Sequence, residues 1–253
     1  TIGCSTFEEA FQLAKDNPEY KIIIPIENSL AGRVADIHYL IPKYKLQIHS
    51  EHFQKVTHNL LGIKGSKIKD IKTVRSHAQA LGQAQKFISD NKLISITAAD
   101  TAGSAKFISE NNDKSQGAIA SELAAKIYDL EILKSSVEDE SGNTTRFLIL
   151  QKDPTHPELS DKKYITTCIF QLKSVPASLF KALGSFATNG VNLCKLESFS
   201  VKNTFDQVNF YIDIEGHIEE PALQKALEEL GFHTQKLDVL GVYEAHQFRF
   251  KNK

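Results

Sequence analysis

The sequence predicts an α/β protein in two parts: α/β layers with largely parallel strands up to about residue 150, then a separate ferredoxin-like module. Three observations carry this. A unit of strand, then Asn, Ser or Thr, then helix recurs four times, at Asn28/Ser29, Ser76, Asp100/Thr101 and Ser121, and such alternation marks strands joined by helical crossovers. The polar stretch Gln151 to Lys162, with Pro154, His156 and Pro157, reads as a linker. After it the order becomes β-α-β-β-α-β, the ferredoxin-like arrangement.

The elements follow in order. Thr6 and Glu9 fit a capping box, and Phe7, Ala10, Phe11 and Ala14 share one helical face, which Asn17-Pro18 ends. Ile22 to Pro25 is a short buried strand, followed by Glu27-Asn28-Ser29 and a helix carrying Val34, Ile37, Leu40 and Ile41. Leu46 to Val56 is mostly extended, and Leu60 to Ile63 is a strand. Ile71 to Val74 runs into Ser76-His77 and one helix with Ala80, Leu81, Ala84, Phe87 and Ile88. Leu93 to Thr97 leads to Asp100-Thr101 and a helix, and Ala118 to Ala120 leads to Ser121 and the helix Leu123 to Tyr128. Beyond the linker, Thr166 to Leu172 is a strand, and Ser174-Val175-Pro176 opens a helix with Pro in its first turn. Asn189-Gly190 ends that helix. Val191 to Phe199 and Val208 to Ile214 are strands, Pro221 to Leu230 is a helix closed by Gly231, and Leu237 to Tyr243 is the last strand.

The chemistry-bearing stretch is Gly142-Asn143-Thr144-Thr145-Arg146-Phe147, which sets two hydroxyls and a cation before the apolar run Phe147 to Leu150. A strand alternates its faces, so Thr145 and Arg146 point opposite ways, one toward a cleft and the other into the scaffold. Each hydroxyl at a strand-to-helix junction also suits an ordinary N-cap. In open α/β sheets such junctions share one edge, where converging helix N-termini offer N–H groups to a small anion, especially one with two carboxylates.

Composition excludes several classes. A chain of 253 residues, 41% hydrophobic and 24% charged, holds real cores and looks globular. A net charge of −1 gives no basic field for nucleic acid or an anionic membrane, and no apolar run approaches a membrane span. Cys4, Cys168 and Cys194 show no pairing or zinc spacing, so reduced thiols and a cytoplasmic location are expected. No signal peptide is visible. The chain has no Met and begins at Thr1, so a further N-terminal segment is expected.

Together the motifs resemble prephenate dehydratases with a C-terminal ACT regulatory domain. The resemblance rests on Pro25-Ile26-Glu27-Asn28-Ser29-Leu30-Ala31-Gly32, Ser76-His77-Ala78-Gln79-Ala80-Leu81, Asp100-Thr101-Ala102-Gly103-Ser104-Ala105, Asn143 to Phe147, Val175 to Leu179 and Lys195 to Ser198, in order over nearly the whole chain. It implies a periplasmic-binding-like region of two lobes around a cleft at 1–152, the second lobe at about 57–136. The crossings would lie near Phe53 to Thr57 and Lys134 to Val137, with a linker at 153–162 and the ACT domain at 163–246. It also implies conversion of prephenate to phenylpyruvate, water and carbon dioxide, with no metal or organic cofactor. Thr145 would donate a hydrogen bond to the departing ring oxygen. Arg146, the second catalytic candidate, would pair a carboxylate or brace the lobes. Asn28, Ser29, Ser76, His77, Gln79, Ala80, Thr101, Ala102 and Gly103 would line the substrate site, His77 orienting or packing rather than acting as the acid.

Phenylalanine would bind between subunits, near Ala177, Ser178 and Leu179 of one and Asn192, Glu197 and Ser198 of another. The motifs depart from the family in Ala177 to Phe180, where Gly-Ala-Leu-Val is common, and at Phe199, where Arg is common. The family's initial strand and Gly-rich loop do not appear. A sheet with one uncovered face implies a homodimer or homotetramer. Arogenate dehydratase and a non-catalytic amino-acid sensor stay open as alternative readings.

Overall fold

The structure is a computed structural model, described for residues 1–34, 37–200 and 207–250. The chain divides into two compact units: Thr1–Gln54 with Thr145–Lys253, and Lys55–Thr144.

In the first unit, α1 (Phe7–Asp16) starts where the Thr6 side chain accepts from the Glu9 N–H. Strand β1 (Ile22–Asn28) returns through a turn as β2 (Gly32–Arg33), and α2 (Ile37–Tyr44) and β3 (Gln47–Lys55) follow. Asn28 and Ser29 therefore open a hairpin, not a helix. Gly32, at φ 76°, serves that turn.

The second unit contains β4 (Asn59–Gly62), β5 (Thr73–His77), α3 (Ala78–Gly82), α4 (Gln85–Asp90), β6 (Ile94–Ala98), α5 (Thr101–Asn111), β7 (Gln116–Ala120), α6 (Glu122–Ile127) and β8 (Glu131–Lys134). Its sheet order is β6-β5-β7-β4-β8. The β5 pairs with β6 and β7 are parallel, as expected, while β4 runs antiparallel to β7 and β8. The helix expected through Ala80 to Ile88 is split, because Asp139 intrudes: its N–H donates to Gln83 O at 2.6 Å and its carboxylate accepts from Lys86 N. The same segment explains why the second unit extends to Thr144, beyond the expected crossing near Lys134 to Val137. Val137 N donates to His58 O, and Asn143 Nδ2 donates to Gln83 Oε1, both at 2.8 Å.

The chain re-enters the first unit along β9 (Thr144–Gln151). The first sheet has the order β2-β1-β9-β3, and both β1 pairs are antiparallel, against the parallel expectation. The reason is local: β1 turns back at once, and β9 arrives from 117 residues on, as the Asn28–Thr145 bond shows. After an irregular stretch come β10 (Tyr164–Leu172), α7 (Ser178–Thr188), β11 (Leu193–Ser200), β12 (Val208–Glu215), α8 (Pro221–His233) and β13 (Thr234–Glu244). The sheet order β11-β12-β10-β13, antiparallel throughout, is ferredoxin-like. Two helix ends differ from expectation. Ala177 adopts φ 59°, which holds Pro176 in a turn before α7, and α8 runs through Gly231 to His233.

One face of the C-terminal sheet packs on α7 and α8 through Cys168, Phe170, Ala182, Phe186, Ile212 and Leu223. The other face is not open. Ile165, Ile169, Tyr211, Leu240 and Tyr243 share a single core with Phe11, Ile41, Ile48 and Leu148 of the N-terminal part. The uncovered face from which an oligomer was inferred is thus buried within the chain itself.

The tightest point of that packing is Gly241. A Cβ built there meets the Ile48 carbonyl oxygen at 2.3 Å and Ile48 Cβ at 2.8 Å. Gly241→Ala is expected to destabilise the protein by roughly 1–3 kcal/mol through overpacking. An unchanged melting temperature would show that β13 and β3 are less closely seated.

Candidate functional site

Thr145 sits opposite Asn28 in the β1–β9 register, one step from the rung that pairs Glu27 with Arg146. Asn28 Nδ2 donates to Thr145 Oγ1 at 3.0 Å. The Asn28 amide is fixed by the turn, its Oδ1 accepting from Leu30 N at 3.0 Å and Ala31 N at 2.9 Å. A hydroxyl that already accepts a hydrogen bond is polarised as a donor. The arrangement thus prepares Thr145 to donate its own proton to an oxygen of a bound molecule. Arg146, Leu148 and Leu150 are buried on one face of β9, while Thr145 and Phe147 are half-buried on the other.

Arg146 is 2% exposed. Its Nε donates to Glu51 Oε2 at 2.8 Å, Nη1 to Glu27 Oε1 at 2.9 Å and to Asp213 Oδ2 at 2.5 Å, and Nη2 to Tyr243 Oη at 3.0 Å. Arg249 adds a second guanidinium, with Nε 2.7 Å from Glu51 Oε1 and Nη2 2.8 Å from Glu51 Oε2. Thr167 donates to Asp213 Oδ1 at 2.6 Å. Burial opposes the charge on Asp213, but Arg146, Arg249 and the Thr167 hydroxyl outweigh it and hold its pKa below the usual carboxylate range. Glu27 behaves likewise: burial opposes ionisation, while Arg146 and Lys195 lower its pKa. Lys195 Nζ bonds Glu27 and also lies 2.9 Å from Glu197 Oε1.

In the second unit, Ser76 is fully buried and its Oγ donates to Ile119 O at 2.6 Å. His77 caps α3, its Nδ1 accepting from Gln79 N at 3.3 Å. Ala80 is buried, and Gln79 is exposed. Asp100, not Thr101, caps α5, taking the Gly103 N–H. Thr101 is half-buried and Ala102 and Gly103 are exposed at the start of that helix.

In the C-terminal domain, Ala177, Ser178 and Leu179 head α7, and Ser178 lines a groove of about 570 Å³ with Lys173 to Pro176, Val208 and Phe210. Asn192, Glu197 and Ser198 lie on or beside β11, separated from β10 by β12. The two halves of that expected ligand site are therefore not brought together within one chain. Glu197 turns toward Lys195 and His38, and the Ser198 carbonyl accepts from Arg33 Nη1 at 3.1 Å.

Glu51, Asp213 and Arg249 were not foreseen. The one sequence signal was Asp213, an acid inside the otherwise apolar run Phe210 to Ile214. Among the described residues no cluster of three or more His, Cys, Asp or Glu is placed to hold a metal, and no helix is long and apolar enough to cross a membrane.

Comparison with known proteins follows the same lines. The prephenate dehydratase family profile matches residues 1–155. A bifunctional N-acyl-homoserine lactone acylase/prephenate dehydratase of Komagataeibacter europaeus is 41% identical, over 99% of this chain and 89% of its own. Arogenate dehydratase/prephenate dehydratase 1, chloroplastic, of Arabidopsis thaliana is 37% identical over 96% of this chain, which spans only 65% of that protein. The crystal structure of a prephenate dehydratase from Arthrobacter aurescens in complex with L-Phe superposes with a TM-score of 0.86 at 26% identity, covering 96% of this chain and 81% of that one.

His38 gives this region a pH signature. It is 2% exposed, and its Nε2 lies 3.0 Å from Glu197 Oε2 without hydrogen-bond geometry on either atom. Burial first, then Lys195 and Arg33, push its pKa down to about 3, against the opposing pull of Asp213 and Glu27. A depressed histidine takes up its proton more readily when unfolded. Its contribution is therefore complete above the unfolded value of 6.5 and erodes as pH falls toward 3. Denaturant titrations are expected to show stability falling by up to about 1.4 kcal/mol per pH unit below that point, and His38→Gln is expected to flatten the slope. An equal slope in the variant would remove His38 from the account.

Proposed function

Since the chain belongs to the prephenate dehydratase family of carbon–oxygen lyases, we propose that it converts prephenate to phenylpyruvate, with Thr145 assisting departure of the ring hydroxyl. The observation that carries this is the Asn28–Thr145 pair, which leaves a polarised hydroxyl as donor on the half-buried face of β9.

In the reaction the bond from the ring to its carboxylate breaks and carbon dioxide leaves. The electron pair enters the ring, the ring C–O bond breaks, and the oxygen leaves with developing negative charge that a proton from solvent turns to water. Aromatisation drives the step. A threonine hydroxyl is a weak acid, so Thr145 stabilises the developing charge on the departing oxygen by hydrogen bonding rather than by full transfer. Arg146 is proposed to brace β9 against the C-terminal sheet rather than one lobe against the other, because partners within the first unit engage its Nε, Nη1 and Nη2. Within the first unit Asn28 and Ser29, and within the second Gln79, Thr101 and the N–H groups at the start of α5, are each proposed to contact a substrate carboxylate. Ser76 and His77 are assigned to shaping that junction, the first through its bond to β7 and the second as the α3 cap.

The C-terminal domain is proposed to be an ACT regulatory module binding phenylalanine. Its ferredoxin-like order and the relative crystallised with L-Phe support this. Three unpaired cysteines suit a reducing compartment, for which we propose the cytoplasm.

Thr145→Ala is expected to lower kcat by roughly 100-fold or more with KM nearly unchanged, the mark of a bond made chiefly in the transition state. Thr145→Ser is expected to retain most activity. Parent-rate turnover by the alanine variant would remove Thr145 from the chemistry. Prephenate, arogenate and an N-acyl-homoserine lactone are to be assayed in parallel, and turnover confined to either of the last two would overturn the prephenate reading.

Phenylalanine titrated by calorimetry alongside initial rates is expected to bind and inhibit. No heat and no inhibition at millimolar phenylalanine would leave the C-terminal domain as a purely structural part. Binding without any prephenate turnover would instead identify a sensor.

A further inference from the structure

The rung that presents Thr145 is adjoined by an ionic rung reaching into the C-terminal sheet. Asn28 faces Thr145 in the β1–β9 register, and the neighbouring pair is Glu27 and Arg146, with a register shift between Pro25 and Glu27. Two residues of the C-terminal sheet hold that pair from outside. Lys195 on β11 bonds Glu27, and Asp213 on β12 accepts from Arg146 Nη1 at 2.5 Å. Both sit away from solvent, the Lys195 side chain at 8% exposure and that of Asp213 at 0%.

We propose that Lys195 and Asp213 are positioning residues for the reaction at Thr145, acting through Glu27 and Arg146 to fix the β1–β9 rung that carries Asn28 and Thr145. The proposal rests on the dehydratase reading of Thr145.

The physical argument is one of shared partners. Arg146 Nη1 serves two carboxylates, Glu27 at 2.9 Å and Asp213 at 2.5 Å. Without Lys195, Glu27 keeps a single cationic partner that it must share, and nothing fixes its second oxygen. In a poorly solvated site an ion pair is held tightly, because a displaced charge regains no water. Lys195 therefore sets where Glu27 sits, and Glu27 is covalently next to Asn28. Asp213 sets where Arg146 sits, and Arg146 is covalently next to Thr145. Arg33 Nη1, bonded to Ser198 O at 3.1 Å, ties β2 to the same strand β11 from the other side of the turn. Misplacement of a catalytic group by about 1 Å is enough to cost on the order of 100-fold in rate. The C-terminal sheet thus has a direct mechanical hold on the reacting pair, distinct from any ligand it binds.

The test uses the full chain carrying Lys195→Met, which keeps the aliphatic stem, with Lys195→Arg as the conservative variant. Lys195→Met is expected to lower the melting temperature, since it leaves Glu27 and Glu197 short of a cation, and, assayed well below its own unfolding transition, to lower kcat by about tenfold or more with KM within about twofold. Lys195→Arg is expected to restore most of the rate. In a Thr145→Ala background Lys195→Met is expected to add little, since residues acting through one group are not additive. Hydrogen exchange of the peptides spanning 26–30 and 144–148 is expected to quicken in Lys195→Met and not in Lys195→Arg. This arm needs no turnover, so it decides the positioning role even if the dehydratase reading fails on the parent protein. Parent-like kcat in Lys195→Met, a rate loss explained wholly by lower stability, full additivity with Thr145→Ala, or unchanged exchange at both peptides would each overturn the proposal. Asp213→Asn is expected to show the same kinetic split; its loss of fold would leave the decision to Lys195.

Discussion

Arg146 is a guanidinium that no part of the first unit satisfies alone. Its partners come from β1, β3, β12 and β13, in Glu27, Glu51, Asp213 and Tyr243. Removing a guanidinium from water is costly, and an incomplete set of partners leaves that cost unmet. The carboxylates face the same demand, and losing one member of such a cluster typically costs about 3–5 kcal/mol. The first sheet and the C-terminal sheet therefore form one core, and each completes the polar interior of the other. Arg249 extends the cluster by gripping Glu51 from beyond the last strand, so residues past the ferredoxin-like module belong to the same construction.

That coupling was the least legible feature of the sequence. Pattern and capping rules located nearly every strand, because each depends on residues within one or two turns of chain. They gave Ser121 and Asp100 as helix caps and the βαββαβ order of the C-terminal part. They failed where a distant segment intervened, as Asp139 does in splitting a helix whose apolar spacing is continuous, and where one polar side chain has two local uses: Asn28 holds the N–H groups of Leu30 and Ala31 in a turn, not those of a helix. An Arg ahead of an apolar run reads equally as a carboxylate contact or as a brace. Only the placement of three acids, 95, 119 and 67 residues away in sequence, distinguishes these.

The face of the C-terminal sheet shows where a sound local argument stops short. Apolar residues on both faces of a four-stranded sheet do require covering on both sides. The sequence does not say whether the cover is another copy or the rest of the same chain. Here Ile165, Ile169, Tyr211 and Tyr243 pack on the N-terminal part, and Gly241 permits the approach because any side chain would strike Ile48. A linker rich in proline and polar residues joins parts that are close-packed, so linker composition describes the path of the chain and not the independence of what it connects.

The two faces of β9 divide the work between them. Leu148, Leu150 and Arg146 turn inward, and Thr145 turns the other way with its oxygen held by Asn28. Because adjacent residues on a strand cannot move independently, anything that shifts Arg146 also shifts Thr145. A hydroxyl on a loop would be free of this constraint and would also lack its accuracy. Setting it next to a buried cation makes its position depend on charges contributed by a second sheet. The same strand that fixes the hydroxyl also ties it to the sheet behind it, through Lys195 on Glu27 and Asp213 on Arg146.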